Sequence, residues 1–300
     1  SYGSDGGFMK SFGIKLSRRT LFQNAGVVAG AGLLGLGHEK NLYSQLQSVG
    51  TGANGQPRVL ALIGDRHHNA DYIRVSLDPV FKQLNIPIDY TLEYDKISAD
   101  LLKNYNVFLI FREGQNWPGG YLGPDMWSDY SKNLENAADF PDGKAVTWMS
   151  EEQGAAIKDF VNAGNGLYAL HDSSHISLSC KNYRDVMGGA FIGHPPLRPF
   201  RVRPTENKHP ITAGITEFMV NDEQHYVAYD KDPKYVLLEA ENVDGLPFQT
   251  LGTKSISAWA YEFGSGRVVF TAVGHTNHAM WTPQYLEIQK RSVRWLLKQI

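Results

Sequence analysis

Four short apolar runs, each ending on or directly followed by glycine or a polar residue, constrain this chain most. They are Arg58-Val-Leu-Ala-Leu-Ile-Gly64, Asn106-Val-Phe-Leu-Ile-Phe111, Gly166-Leu-Tyr-Ala-Leu-His171 and Arg267-Val-Val-Phe-Thr-Ala-Val273. None shows the apolar–polar alternation of a strand with one wet face, so each reads as a strand buried on both faces. Between them lie segments of helical period. Asp71 to Leu84 repeats apolar residues at Tyr72, Ile73, Val75, Val80, Phe81 and Leu84. Ser150 opens a second helix running to Ala163, with Gln153 at the capping-box position and Gly164 as its stop. Ile88 to Glu93 reads as a further strand, and a short helix follows Ser98. A β-α-β-α rhythm of buried strands requires a parallel sheet covered by helices on both faces, with right-handed connections. The expected fold class is therefore an α/β three-layer sandwich.

The second half is richer in strands. Tyr235 to Glu239 is one, and Ser257–Glu262 and Arg267–Val273 pair as a hairpin about Gly264-Ser-Gly266. Pro283 to Ile300 has the pattern of a closing amphipathic helix. The expected organisation is one α/β domain over 57–300, interrupted by a long aromatic loop at 112–148 that carries Trp117 and Trp127. Loops of that length in a compact domain are usually binding loops or lids.

Ahead of this body, Ser17-Arg18-Arg19-Thr20-Leu21-Phe22 precedes the twelve-residue apolar stretch Ala25–Leu36. Paired arginines before a short Gly/Ala-rich segment read as a twin-arginine export signal, too short for a bilayer span of roughly twenty residues. Residues 1–37 are thus expected to be an extension plus signal, with Met9 as the natural start, and 38–56 a linker. The protein is expected in the periplasm or beyond.

Composition removes several functions. With 29 Lys and Arg against 31 Asp and Glu, the chain lacks the cationic excess that nucleic acid or anionic lipid demands. One cysteine, Cys180, excludes an internal disulfide framework and a cysteine-rich zinc module. There is no P-loop, and no G-x-G-x-x-G follows the first strand, so no nucleotide is expected. His171 stands where a nucleophile elbow would place Ser or Cys, which argues against a glutaminase-like hydrolase.

Ligands in an open parallel sheet bind beyond the carboxyl ends of the strands. Three strands end there in histidine: Asp65-Arg66-His67-His68, His171-Asp172-Ser173-Ser174-His175 and Gly274-His275-Thr276. Two loop motifs join them. Gly193-His194-Pro195-Pro196 sets a histidine on a proline-braced turn, and Asn221-Asp222-Glu223-Gln224-His225-Tyr226 packs two carboxylates, a histidine and a tyrosine into six residues. His209-Pro210-Ile211-Thr212 reads instead as a local cap and turn. Histidine near neutral pH serves as acid, base or metal ligand. His171, His194, Glu223 and His275 are the candidate catalytic residues and equally the candidate ligands of a divalent metal such as zinc. His67, His68, Asp222, Tyr226, Trp117 and Trp281 are candidates for contacting substrate.

The ordered set Gly166–His171, Tyr183–Gly189-x-Phe191-x-x-His194-Pro195, His209–Thr212, Asp222-Glu223-x-x-Tyr226, Gly264-x-Gly266-Arg267-Val268 and Gly274-His275-Thr276 resembles the ThuA-like, or trehalose-utilisation, family. The resemblance runs from about residue 57 to the end. It departs from the family at the longer 112–148 loop and at Ser257-Ala258-Trp259. It implies a flavodoxin-like, mostly parallel sheet similar to class I glutamine amidotransferases, without their cysteine. It also implies a role in carbohydrate catabolism beside oxidoreductases that make 3-keto sugars. Paired acid and base groups at such a site could run hydrolysis, elimination or isomerisation on a sugar or keto-sugar, the chemistry of a hydrolase, lyase or isomerase. A carbohydrate-binding protein without activity, a homo-oligomer or a partner of a sugar oxidoreductase are the alternatives that the same residues leave open.

Overall fold

The computed structural model describes residues 55–116 and 145–300. The expected export signal, Trp117, Trp127 and most of the linker and of the 112–148 loop lie outside the described residues. Strands β1 (Val59–Ile63), β2 (Ile88–Thr91), β3 (Val107–Phe111), β6 (Gly166–Leu170) and β13 (Gly266–Thr271) pair in parallel in the order β2-β1-β3-β6-β13. The same sheet continues as β12 (Lys254–Phe263), β11 (Val236–Asn242), β8 (Arg198–Pro204) and β9 (Phe218–Asp222), each antiparallel to its neighbour. Two small sheets pair β4 (Gln115–Asn116) with β5 (Val146–Thr147) and β7 (Gly189–Gly193) with β10 (Tyr226–Tyr229). The result is the α/β sandwich that the strand rhythm requires, with an antiparallel extension on one side.

The two faces of the sheet follow from side-chain alternation. Val59, Ala61, Ile63, Leu109, Leu170 and Val269 join one core with helices α1 (Ala70–Leu84) and α6 (Pro283–Leu296). Leu60, Leu62, Phe108, Ile110, Leu167 and Phe270 join another under α2 (Ala99–Leu102), α3 (Glu151–Asn162) and α4 (Lys181–Met187). A short α5 (Asn277–Met280) precedes α6. In the antiparallel extension, one face is apolar (Phe200, Val202, Phe218, Val220, Leu238), and the other carries ion pairs such as Arg203 with Glu239 and Glu241. No helix among the described residues is long and apolar enough to cross a membrane.

The local signals decide the boundaries. Ser150 Oγ accepts the Gln153 backbone N–H while the Gln153 side chain accepts that of Ser150, closing the capping box at the start of α3. Ser150→Ala should therefore cost about 1 kcal/mol of unfolding free energy by denaturant titration. His209 caps the 3₁₀ turn Pro210–Thr212, its Nδ1 accepting the Ile211 N–H at 3.2 Å, and its ring packs edge-on to Trp295. Burial, with Arg267 nearby, holds this imidazole down to about 4. An unfolded histidine titrates near 6.5, so the contribution of His209 is complete above that value and is lost as pH falls towards 4. Exchanging His209 for Asn, which can still cap, should flatten the acid limb of stability in that window; an unchanged limb would remove His209 as its source.

Candidate functional site

Six chain segments build the site: five lie beyond the carboxyl ends of β1, β3, β6, β9 and β13 at one edge of the sheet, and the sixth, β7 with the turn after it in the small β7–β10 sheet, brings Phe191 and His194. After β1, Gly64 at φ +84° turns the chain and Asp65 caps the loop, its Oδ1 accepting the backbone N–H groups of His67 and His68 at 2.8 Å each. After β6, His171 takes φ +50°, a left-handed conformation that a β-carbon resists. Its ring lies beneath Gly274, where an added Cβ would come within 2.6 Å of the His171 Cβ. Only glycine lets the two strand ends approach so closely.

β9 lies at the far edge of the sheet, yet its end curls back to the end of β13. Asp222, wholly buried, makes this junction: Oδ1 accepts the N–H groups of Glu223 and His275, and Oδ2 that of Gly274. Burial pushes its carboxyl up to about 7 against these donors. The link Glu223-Gln224-His225 then crosses to β10. Gln224 is buried and donates to the Ala240 and Thr253 carbonyls. Glu223 and His225 both turn towards the site, with the His225 Nε2 3.6 Å from the Glu223 Oε2.

The centre is the Glu223 Oε2, ringed by His275 Nδ1 at 3.1 Å, His171 Nε2 and His194 Nε2 at 3.5 Å each, and His225 Nε2 at 3.6 Å. His68 Nε2 reaches His275 Nδ1 at 3.2 Å. Three of these rings have their outer nitrogen committed. His171 Nδ1–H donates to the Ala272 carbonyl at 2.7 Å and His194 Nδ1–H to the Pro195 carbonyl at 2.9 Å. His68 Nδ1 faces Asp65 at 3.0 Å and Asp172 at 2.7 Å. A neutral imidazole whose Nδ1–H is so used presents a bare lone pair at Nε2. His171 Nε2 is buried and has no hydrogen-bond partner, although it faces a carboxylate oxygen.

The electrostatics set the rings apart. Burial keeps His171 well below the ordinary imidazole value and His225 down to about 4, so both rings stay neutral. On His68 burial acts downward, but Asp172 and Asp65 outweigh it and raise the ring. The His171 lone pair, aimed at the Glu223 carboxylate 3.5 Å away, repels it unless a cation sits between them. His68, His171, Glu223 and His275 bring four ligand atoms within 4.8 Å of one another, and His194, Glu223 and His225 bring three. Nitrogen-rich sets with one carboxylate suit zinc and similar divalent ions. The carboxylate–imidazole and carbonyl–imidazole contacts on the outer nitrogens are the supports that metal-bound histidines need.

The site opens on a cavity of about 350 Å³ lined by His67, Glu113, His175 and Phe191 beside the central residues. That is small-molecule size. His67 stands half in solvent, 3.9 Å from Glu113. Of the residues singled out from sequence, His171, His194, Glu223 and His275 come together as one group, and His68 joins the tetrad as a candidate ligand. His194, read with the tetrad, instead pairs with His225 on the other side of Glu223. Asp222 lies behind the site as the strand junction. Tyr226 is buried, stacked on Phe248 with its hydroxyl donating to the Gly252 carbonyl. Trp281 is half exposed and donates to the Ser76 carbonyl, outside the cavity wall. His225, Asp65 and Asp172 were not singled out individually; the His225-x-Glu223 spacing, which sets both side chains on one side of an extended segment, was the available signal.

A family model described as ThuA, trehalose utilisation, matches residues 58–296. The chain belongs to the ThuA family. No curated protein matches the chain in sequence. Among solved structures, a ThuA-like protein of Bacteroides uniformis superposes with a TM-score of 0.54 at 16% identity, over 80% of this chain and 90% of that one. A ThuA-like protein of Parabacteroides merdae gives 0.54 at 13% identity over 81% and 90%. A cold-adapted β-galactosidase from Rahnella gives 0.50 at 11% identity, over 80% of this chain but only 31% of the enzyme. These likenesses support the α/β fold.

Proposed function

We propose that this ThuA protein is a metal-dependent enzyme acting on a sugar or keto-sugar. The observation that carries the reading is the convergence of His68, His171 and His275 on Glu223, with the outer nitrogens of His68 and His171 already held by Asp65, Asp172 and the Ala272 carbonyl. The family's connection with trehalose utilisation supplies the substrate class. A divalent ion on the tetrad would act as a Lewis acid on a carbonyl or hydroxyl oxygen. The chain's own groups would do the rest. His67 and Glu113 at the cavity mouth can exchange protons with substrate hydroxyls, Phe191 offers an apolar wall, and His175 stands beside it. Such a site can run hydrolysis, elimination or isomerisation next to a keto group, where the carbonyl acidifies the neighbouring C–H.

The paired arginines Arg18 and Arg19 support export, with the enzyme working in the periplasm or outside the cell. Arg18→Lys with Arg19→Lys should then leave the protein in the cytoplasmic fraction. For the activity, purified protein is offered 3-keto-disaccharides and their parent disaccharides, with zinc, cobalt or manganese and then with chelator. Chelator-sensitive turnover lost in His171→Ala is the expected result. Saturable sugar binding without turnover at any metal would replace the enzyme with a binding protein.

A further inference from the structure

The imidazoles around Glu223 are too many, and too nearly parallel, for one ion. We infer that the centre holds two divalent ions bridged by Glu223, one on His68, His171 and His275, the other on His225 and His194. The inference rests on the metal-dependent reading above and deepens it.

Ring planes decide how many ions are needed. A ligating imidazole holds its ion along the nitrogen lone pair, in the plane of the ring, at about 2.0–2.1 Å. Rings sharing an ion must therefore have planes that meet close to both nitrogens. The first set satisfies this. His68 is inclined at 81° to His171 and at 80° to His275, and His171 at 63° to His275. His225 does not fit that set. It is stacked on His171 with centroids 4.0 Å apart and only 24° between the planes, so the two planes cannot meet within bonding reach of both Nε2 atoms. Yet both Nε2 atoms lie about equally far from the Glu223 Oε2, at 3.5 and 3.6 Å. Side-by-side lone pairs spaced by one stacking distance, flanking one carboxylate, match a pair of ions. Bridged two-metal sites space their ions at about 3.5–4 Å.

The second ion has its own donors. His194, Glu223 and His225 place three ligand atoms within 4.8 Å of one another. His194 already spends its Nδ1–H on the Pro195 carbonyl, leaving Nε2 for the ion. It too lies nearly parallel to His225, at 19° and 5.2 Å, so one of the two turns about its Cβ–Cγ bond on loading. His194 has the room, with its side chain 31% exposed, whereas His225 is 2% exposed. With three protein donors this ion keeps open positions towards the cavity. Two cations side by side would grip a pair of adjacent oxygens, so the fitting ligand is a vicinal hydroxy-ketone or diol, as in a keto-sugar. A lone carbonyl would engage one ion only.

The test counts ions. The full chain is stripped with chelator, loaded with zinc or cobalt(II), freed of excess metal and analysed for metal per chain. Two ions are expected in the wild type and one in His225→Ala. His194→Ala, at a half-exposed position that tolerates truncation, should weaken the second ion at least about tenfold by competition with a chelating dye, leaving the first ion's affinity unchanged. His171→Ala should instead lose the first ion. Cobalt in both sites should show spin coupling through the carboxylate in magnetic resonance, absent from His194→Ala. One ion in the wild type overturns the proposal whatever the variants hold, and leaves the single-ion reading standing if His171→Ala removes it. No ion in the wild type overturns both.

Discussion

Glu223→Gln is expected to weaken metal binding at the proposed centre about a hundredfold while leaving the sandwich folded. Four imidazoles converge on its carboxylate, with Oε2 within 3.1–3.6 Å of four ring nitrogens. Glutamine keeps the shape but presents a neutral amide. The binding free energy of an ion appears as folding free energy, so at a free metal concentration of 1,000 times Kd the wild type should gain about 4 kcal/mol. A hundredfold loss of affinity in Glu223→Gln removes about 2.7 kcal/mol of that gain at the same concentration. Thermal or denaturant unfolding with and without metal reads both quantities. The metal-free proteins should differ little, because Glu223 holds neither strand end. Equal metal-dependent shifts in the two proteins would show that the ion binds elsewhere.

Asp222→Ala is expected to act in the opposite way, through the scaffold. The Asp222 carboxylate is fully buried and accepts three backbone N–H groups, one on its own strand end and two at the end of β13. Each hydrogen bond contributes about 0.5–1.5 kcal/mol, and each donor left buried without a partner costs about 1–3 kcal/mol. A loss of about 4 kcal/mol of stability is expected in metal-free protein, which in a domain of this size would bring unfolding into a mild-denaturant range. Asp222→Asn should lose about half as much. Its oxygen can keep the Glu223 and His275 donors, but its amide nitrogen must face the Gly274 N–H. In both variants the junction loosens, so metal affinity falls along with stability. That joint loss separates Asp222 from Glu223, which affects metal binding alone. Wild-type stability in Asp222→Ala would mean that water replaces the carboxylate at the junction.

The sequence announced the sandwich because buried parallel strands leave a signature within five or six residues. Val59–Ile63, Val107–Phe111 and Gly166–Leu170 are uninterrupted apolar runs, and all three are central strands. The Ser150 capping box and the hairpin about Gly264–Gly266 are equally local, and both form as read. The pairing of β7 with β10 left no such trace, since Gly189–Gly193 is neither alternating nor strongly apolar and its partner lies more than thirty residues on. The site divides along the same line. Histidines at strand ends could be counted from sequence and placed on one edge. Which of them share a carboxylate could not, because β9 enters through a curl of the sheet edge that no local pattern encodes. Hence His68 was read as a substrate contact before the fold put its ring against His275, and His225 went without a role of its own. Asp222 and Glu223 are neighbours in sequence with opposite duties, one tying strands and one facing the cavity, and only the crossing of the Glu223–His225 link separates them.

The contact of His68 with His275 spans 207 positions of sequence. The loop it closes encloses nearly every strand of the sheet, so a ligand gripped by both rings would behave as a removable staple between the first strand and the last. Closing so long a loop is entropically dear only once, at the end of folding, when the last strand has already docked. A molecule with an incomplete final strand would have no grip to offer. Loading would then serve as a quality check on the finished fold, passed by whole molecules and failed by truncated or half-folded ones.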